Sequence, residues 1–213
     1  MMEGKKLKQM EELDMEDSEW LFPLVASECN GIPVEDHAGA FGNKRKYGER
    51  HCGVDLYCKK YTRVHAVEAG TVVSIELFTG ELVGCPWWNN TWAIRIAGES
   101  GIVVYGEIEV YPSIRVGDVV GRGIPIGIVI PVLPDSKKRP DIPGHSTSML
   151  HFQWYKKGVL HKEHPWNREE DIPPDGVLDP TEMLKKSCRL YVPLLNSAGT
   201  KKINIVFANS LIG

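Results

Sequence analysis

Short runs of β-branched and aromatic residues, separated every few positions by glycine or proline, dominate the chain from Trp20 onward. Glycine and proline interrupt helices, so such runs are typical of short strands joined by turns. Four of them lie at residues 71–75, 92–96, 101–105 and 125–130. The pattern predicts an all-β fold, a compact antiparallel sandwich or barrel-like core with long loops.

One of these runs alternates along the chain. Trp92, Ile94 and Ile96 occupy one set of alternate positions, and Ala93 and Arg95 occupy the other. Because successive side chains of a strand point to opposite faces, the alternation predicts a strand with one face in the core and one face in water.

The composition excludes several functional classes. A net charge of -3 and a pI of about 6.2 give no basic surface for nucleic acid, so we expect no nucleic-acid partner. No stretch approaches the ~18 consecutive apolar residues of a membrane span. Residues 1–20 lack the apolar segment of a signal peptide, so we expect a cytoplasmic chain as written, or an extracellular one if a leader is missing. The 5 cysteines form no CxxC pair, which excludes a zinc ribbon or thioredoxin-type site.

The chain divides into three parts. Residues 1–20 form a polar extension, residues 21–188 one domain, and residues 189–213 a tail or an added hairpin. Within the domain, the proline-rich segment 131–145 predicts a long loop, and loops of that length are often functional. A short helix is expected after Asp179-Pro180-Thr181, since proline is favoured in the first turn of a helix.

The first chemical signal is the segment His51-Cys52-Gly53-Val54-Asp55. A histidine and an aspartate four positions apart can converge on one metal ion where the chain turns between them, and imidazole and carboxylate both suit zinc. The spacing alone is common in unrelated chains. Here a GTVVSIE segment follows it, and YGEIEVYP and SMLHFQWY segments come later.

In this order the segments resemble the lysostaphin/LytM-type zinc peptidases. The resemblance covers about residues 32–184, including the closing Leu178-Asp179-Pro180-Thr181. It implies the duplicated hybrid-motif β fold of that family. It also implies peptide-bond hydrolysis by water activated on one zinc ion, with cell-wall cross-link peptides as substrates.

Carried over residue by residue, the family's metal ligands correspond to His51, Asp55 and His151. Three protein ligands leave a fourth position for water, which is the arrangement of a catalytic zinc site. His151 lies in a run that predicts a strand. Leu150 and Phe152 should then pack in the core while His151 faces a cleft.

The chain departs from the family pattern at two catalytic positions, where Glu107 and Met149 replace histidines. A methionine side chain transfers no proton, whereas a glutamate can serve as general base beside a metal. Glu107 is therefore either the base of an active site or a solvated strand-edge residue in a catalytically silent one. His145, at the end of the long loop, is a candidate substitute donor, with an exposed loop histidine as the alternative.

Further candidates lie close to these residues in the chain. Arg45 and Arg50 precede the first ligand, and they either steer a substrate carboxylate or lie on the surface. Three tryptophans either form a platform for a sugar or peptide or pack against the sheet. They are Trp87, Trp88 and Trp92.

Two cysteines carry a second, local resemblance. The segments around Cys29 and Cys58 are similar to those of the leukocyte cell-derived chemotaxins, secreted signalling members of the same fold. That resemblance implies a Cys29–Cys58 disulfide. It also offers a precedent for zinc retained without peptidase activity.

The leading hypothesis is a zinc metalloendopeptidase acting on a peptide or peptidoglycan-type substrate, with Glu107 in place of one catalytic histidine. The alternative is a catalytically silent zinc domain that binds a partner or a glycan. The sequence leaves the oligomeric state open, with a monomer favoured.

Overall fold

A computed structural model describes residues 20–45, 49–134, 148–159, 166–188, 194–196 and 201–202. Its strands are β1 (Ile32–Pro33), β2 (Glu49–Arg50), β3 (Val54–Tyr57), β4 (Arg63–His65), β5 (Gly70–Thr79), β6 (Thr91–Gly98), β7 (Ile102–Val110), β8 (Val119–Val120), β9 (Pro125–Val129), β10 (Met149–Tyr155), β11 (Trp166–Asn167), β12 (Val177–Leu178), β13 (Leu194–Leu195) and β14 (Lys201–Lys202). Helix α1 (Thr181–Ser187) and single 3₁₀ turns at Ala26–Glu28 and Glu81–Val83 complete these elements. Most of the predicted extension, most of the 131–145 loop and most of the tail lie outside the described residues.

The main sheet contains nine strands and follows the order β12-β10-β7-β6-β5-β8, with β3 beside β10, and β9 beside both β7 and β4. All its described pairings are antiparallel. This confirms the predicted all-β antiparallel fold, and the four runs noted in the sequence are β5, β6, β7 and β9. The predicted helix is α1, whose first turn is fixed by Asp179 Oδ1, which accepts the Thr181 N–H at 2.9 Å.

The core lies against the strands at the centre of this sheet. Leu150 and Phe152 of β10 are fully buried, as the strand pattern predicts. Trp20 packs edge-on against Phe152 and Trp154, with ring centroids 5.5 and 5.0 Å away. Trp20, the last residue of the predicted extension, is therefore part of the core in the described part of the chain.

The pairing of β6 with β7 contains a bulge, and β6 does not show the burial pattern that its sequence suggests. Trp92 pairs with Ile108 and Ile94 with Tyr105, so Ala93 alone lies opposite two residues of β7, Gly106 and Glu107. The predicted one-sided alternation is wrong here, because Trp92 is 41% exposed while Ala93 and Ile94 are both fully buried. Ile94 packs in the main core, whereas Ala93 packs in a second cluster with Ile102 and Val104, so this part of β6 is buried on both faces.

Three cysteines lie in the main core, Cys29, Cys58 and Cys188. Cys29 and Cys58 are partners in an isolated antiparallel bridge, but both keep their thiols. Burial raises the pKa of each thiol to about 12, which strongly favours the protonated form. The disulfide implied by the local resemblance is therefore not formed in this structure.

The C-terminal strands form a small sheet with the N-terminal part of the domain. β13 pairs in parallel with β1 and antiparallel with β14. Across the described residues, no helix combines the length and the apolar character that a membrane crossing needs.

Candidate metal centre

The strand pairing places two of the predicted ligands side by side. Asp55 lies on β3 and His151 on β10, and the antiparallel register sets them directly opposite each other. His51 directly follows β2, and its backbone N–H donates to Asn43 O at 2.9 Å. The sheet and the preceding loop thus bring three side chains from separate segments to one point.

Gly53, between the histidine and the aspartate of the motif, permits this approach. A Cβ at Gly53 would lie 2.5 Å from Phe152 O and 2.8 Å from Gln153 Cγ. Any side chain would therefore push β3 away from β10. This glycine is a sequence signal for the site that ligand spacing alone does not reveal.

Three ligand atoms converge within hydrogen-bond distance of one another. His51 Nε2 lies 3.1 Å from Asp55 Oδ1, His151 Nδ1 lies 2.8 Å from the same oxygen, and the two nitrogens are 3.2 Å apart. Tetrahedral zinc with bonds of about 2.0–2.1 Å needs ligand atoms roughly 3.3 Å apart. His51, Asp55 and His151 are all buried and could hold a metal ion with only a small expansion of this triangle.

The outer nitrogen of each histidine differs in its environment. His51 Nδ1 lies 3.1 Å from Ala40 O, so it donates its hydrogen there and leaves Nε2 available as a ligand. His151 Nε2 is buried and has no hydrogen-bond partner in the described part of the chain. The His151 ring packs against Phe78, with ring centroids 5.2 Å apart. The aromatic contact restrains the ring, whose Nδ1 lies 2.8 Å from Asp55 Oδ1.

The charges of the cluster suit metal binding. Burial alone would raise the pKa of Asp55, but His51 and His151 stabilise the carboxylate and hold its pKa well below the ordinary value. Burial, aided by the nearby His151 and Arg45, lowers the pKa of His51 despite the opposing effect of Asp55. The two shifts favour an anionic aspartate and a neutral His51, which are the forms that bind a cation.

Glu107 lies in the bulge of β7, next to Gly106, which pairs with His151. It is only 6% exposed, so it is not a solvated strand-edge residue. Its φ of 63° is unusual for a residue with a side chain, and such conformations cluster at functional sites. Its Oε2 is buried without a hydrogen-bond partner among the described residues.

The electrostatic setting of this carboxyl group is also unusual. Burial, followed by repulsion from the Asp55 carboxylate, raises the pKa of Glu107 well above its ordinary value, while Arg45 opposes the shift. Glu107 therefore retains a proton over a wider pH range than an exposed glutamate does. A titratable carboxyl with an unengaged oxygen near the ligand cluster is suited to proton transfer.

The other residues that the sequence analysis singled out do not all lie at the ligand cluster. Arg45 Nη2 contacts Asp55 Oδ2 at 2.7 Å, a role that the sequence does not predict. Arg50 donates to Asp171, Gly42 and Arg168, so it is committed to internal contacts. Met149 pairs with Tyr57 and is half-buried, and His145 lies outside the described residues. The tryptophans Trp87, Trp88 and Trp92 all remain partly exposed.

Comparisons with known proteins match the fold to solved peptidase structures. No protein-family model matches the chain, and no curated protein matches it. The catalytic domain of the antimicrobial peptidase lysostaphin from Staphylococcus simulans is 21% identical, with a TM-score of 0.42, covering 70% of this chain and 89% of that one. A zinc-containing peptidase from Vibrio cholerae is 15% identical, with a TM-score of 0.44, covering 74% of this chain and 41% of that one.

Helicobacter pylori Csd3 is 18% identical, with a TM-score of 0.43, covering 80% of this chain and 40% of that one. The chain thus spans less than half the length of Csd3 and of the Vibrio peptidase. The likeness to these structures is one of general architecture. The roles of individual residues depend on the geometry of this site.

Proposed function

We propose that the chain is a zinc-dependent hydrolase of peptide bonds. Its metal would be held by His51 Nε2, Asp55 Oδ1 and His151 Nδ1. The observation that supports this most directly is the convergence of these three atoms, at 2.8–3.2 Å from one another, near a buried carboxyl with an unengaged oxygen. Three protein ligands leave the open position that catalysis needs.

Zinc, when bound, supplies a Lewis acid that polarises a carbonyl and makes water a stronger acid. The protein's part is proton handling and positioning. Glu107 Oε2 is the proposed proton acceptor, and the same atom would return the proton to the leaving amine. A divalent cation near Glu107 would favour its anionic form, which offsets the effect of burial on its pKa. His51 and His151 are buried and held by Ala40 O and Phe78, which preorganises both rings.

The proposed substrate is a cell-wall peptide of the peptidoglycan type. The support is the motif resemblance, which covers about residues 32–184. Short peptide cross-links are slender enough to reach a metal centre whose ligands are buried at the sheet.

A second candidate function is a catalytically silent zinc domain that binds a partner or a glycan. Met149, which transfers no proton, favours it. The unengaged Glu107 carboxylate also favours it, because a fourth protein ligand would close the site as in structural zinc centres. The two candidates differ in whether Glu107 moves protons or binds metal.

The deciding experiment loads the full chain with stoichiometric zinc and incubates it with a library of cell-wall peptides. Wild type is compared with Glu107→Gln, His151→Ala and the matched control Glu109→Gln, an exposed glutamate on the same strand. The proposal expects turnover in wild type and the control, a loss of about 10²- to 10⁴-fold in Glu107→Gln with zinc content unchanged, and no zinc in His151→Ala. Absence of turnover in zinc-loaded wild type would overturn the enzyme proposal. Weaker zinc binding in Glu107→Gln would instead favour the closed site.

A further inference from the structure

We propose that Arg45 is a positioning residue that limits Asp55 to a single metal-binding oxygen. The inference rests on the proposed zinc site and concerns how this chain builds it. Asp55 has two carboxylate oxygens, and the structure divides them between two tasks. Oδ1 contacts both histidines, at 3.1 and 2.8 Å, while Oδ2 contacts Arg45 Nη2 at 2.7 Å.

The strength of the Arg45 contact follows from its setting. The side chain of Asp55 is 3% exposed, so its second oxygen has little access to water. A charge-assisted hydrogen bond to an arginine is about twice as strong as a neutral one and has a fixed direction. A buried oxygen without that partner would be available as a second ligand atom. Aspartate bound through both oxygens would then occupy the position left for water or substrate.

The backbone of Arg45 is itself fixed by contacts with a distant segment. Its N–H donates to Glu49 O at 2.7 Å, and its carbonyl accepts from Arg168 Nη1 at 3.1 Å. Arg50 Nε donates to Arg168 O at 3.1 Å, and the Arg50 guanidinium lies 5.7 Å from the Trp166 ring centroid. β2 and β11 pair in register here. The segment that follows β10 in the chain therefore holds the loop that carries Arg45.

A chain of contacts thus runs from Arg168 through Arg45 to Asp55 Oδ2. Arg45 differs from a surface arginine because both its backbone groups and its guanidinium have partners. Hydrogen-bond partners of metal ligands typically contribute 10- to 100-fold to metal affinity. The same range is expected for Arg45.

The test uses the full chain and two metals, zinc for affinity and Co²⁺ as a spectroscopic substitute. Zinc affinity is measured by competition with a chelator. The visible absorption of bound Co²⁺ reports coordination number, since four-coordinate cobalt absorbs more intensely than five-coordinate cobalt. The variants are Arg45→Met, Arg45→Lys and Arg168→Met. The matched control is Arg95→Met, which removes an arginine paired with Glu76 on the β5–β6 strands.

We expect Arg45→Met to bind zinc about 10- to 100-fold more weakly and to show weaker Co²⁺ absorption. Arg45→Lys should retain part of the zinc affinity and of the Co²⁺ absorption, because an ammonium can still pair with Asp55 Oδ2. Arg168→Met should reduce zinc affinity less than Arg45→Met does. The double variant should bind zinc no more weakly than Arg45→Met alone. Arg95→Met should bind both metals as wild type does.

The outcomes separate this inference from the proposed function. If wild type binds neither metal, the proposed zinc function fails. If wild type binds both and Arg45→Met keeps the same affinity and Co²⁺ spectrum, the positioning role is overturned. If Arg45→Met does not fold, as judged by circular dichroism, the zinc affinity and the Co²⁺ spectrum of Arg45→Lys and Arg168→Met test the positioning role. If both of these variants show the affinity and spectrum of wild type, the role of Arg45 is overturned.

Discussion

Gly53 lies so close to Phe152 that a Cβ added to the glycine would be 2.5 Å from the phenylalanine's carbonyl oxygen. The contact joins the turn between His51 and Asp55 to the strand that carries His151. Close packing of backbone on backbone leaves no flexible group that could move aside. The ligand cluster therefore depends on a residue that has no side chain.

Gly53→Ala should destabilise the protein by about 1–3 kcal/mol, because the new methyl group overpacks the β3–β10 contact. Urea unfolding followed by circular dichroism measures the change. Gly121→Ala is the matched control, since its Cβ would meet only Ile124 Cγ1 at 3.4 Å. A control change within about 0.5 kcal/mol is expected. Equal stability of Gly53→Ala and wild type would contradict the tight contact.

Zinc should stabilise wild type but not His151→Ala. A ligand that binds only the folded state adds about 2.7 kcal/mol at a concentration of 100 times its Kd. The thermal unfolding midpoint with and without zinc is the measurement. His65→Ala, on β4, serves as control and should keep the full zinc response. A zinc-induced rise of the same size in His151→Ala would show that the metal binds elsewhere.

The metal-free protein should lose stability as pH rises because of Glu107. Burial and then Asp55 raise the pKa of this carboxyl well above its ordinary value of 4.5, and Arg45 opposes them. The unfolded chain releases the proton near the ordinary value, while the folded chain retains it. The stabilising contribution is thus complete below the unfolded pKa and is lost as pH rises through the folded pKa.

Glu107→Gln should remove that loss. Relative to wild type, the metal-free variant should gain thermal stability as the pH rises above about 4.5, the ordinary pKa of this carboxyl, because the folded and unfolded wild-type chains then differ in proton binding. Glu109→Gln, which changes an exposed neighbour on β7, should show no such gain. A constant difference between Glu107→Gln and wild type across this range would disprove the raised pKa.

Trp20→Ala should reduce stability by about 3–5 kcal/mol, the usual effect of removing a large buried aromatic side chain. Its indole packs against Phe152 and Trp154, and its Nε1 donates to Ser100 Oγ at 3.1 Å. Chemical denaturation of the full chain measures the loss. Trp88→Ala, at a partly exposed position, should change stability by about 0.5 kcal/mol or less. A comparably small effect at Trp20 would place that residue outside the cooperative core.

The fold class was predictable from local patterns, and the three candidate ligands came from the family resemblance of the motifs. Strand runs between glycines identify β5, β6, β7 and β9, and alternation around His151 separates core residues from the ligand. The burial of Glu107 was not predictable. It results from a bulge opposite Ala93, and residue types along β6 and β7 do not reveal a register shift.

Two contacts that support the ligand cluster also could not be predicted from the sequence. Arg45 Nη2 contacts Asp55 Oδ2, and nothing in their spacing of ten residues specifies that contact. The partner of His51 Nδ1 is the backbone carbonyl of Ala40, and a backbone group has no residue-type signature. The family resemblance therefore pointed to the side chains that converge, while tertiary contacts determine how they are oriented.

The β3–β10 pairing also has a consequence for how the chain folds. It brings together Asp55 and His151, which are 96 positions apart. Closing a loop of that length loses chain entropy before any contact compensates, so such pairings form slowly. During synthesis, His51 and Asp55 leave the ribosome well before the strand that completes the cluster. The His51–Asp55–His151 cluster is therefore a late product of folding, and it is assembled only after most of the domain has been made.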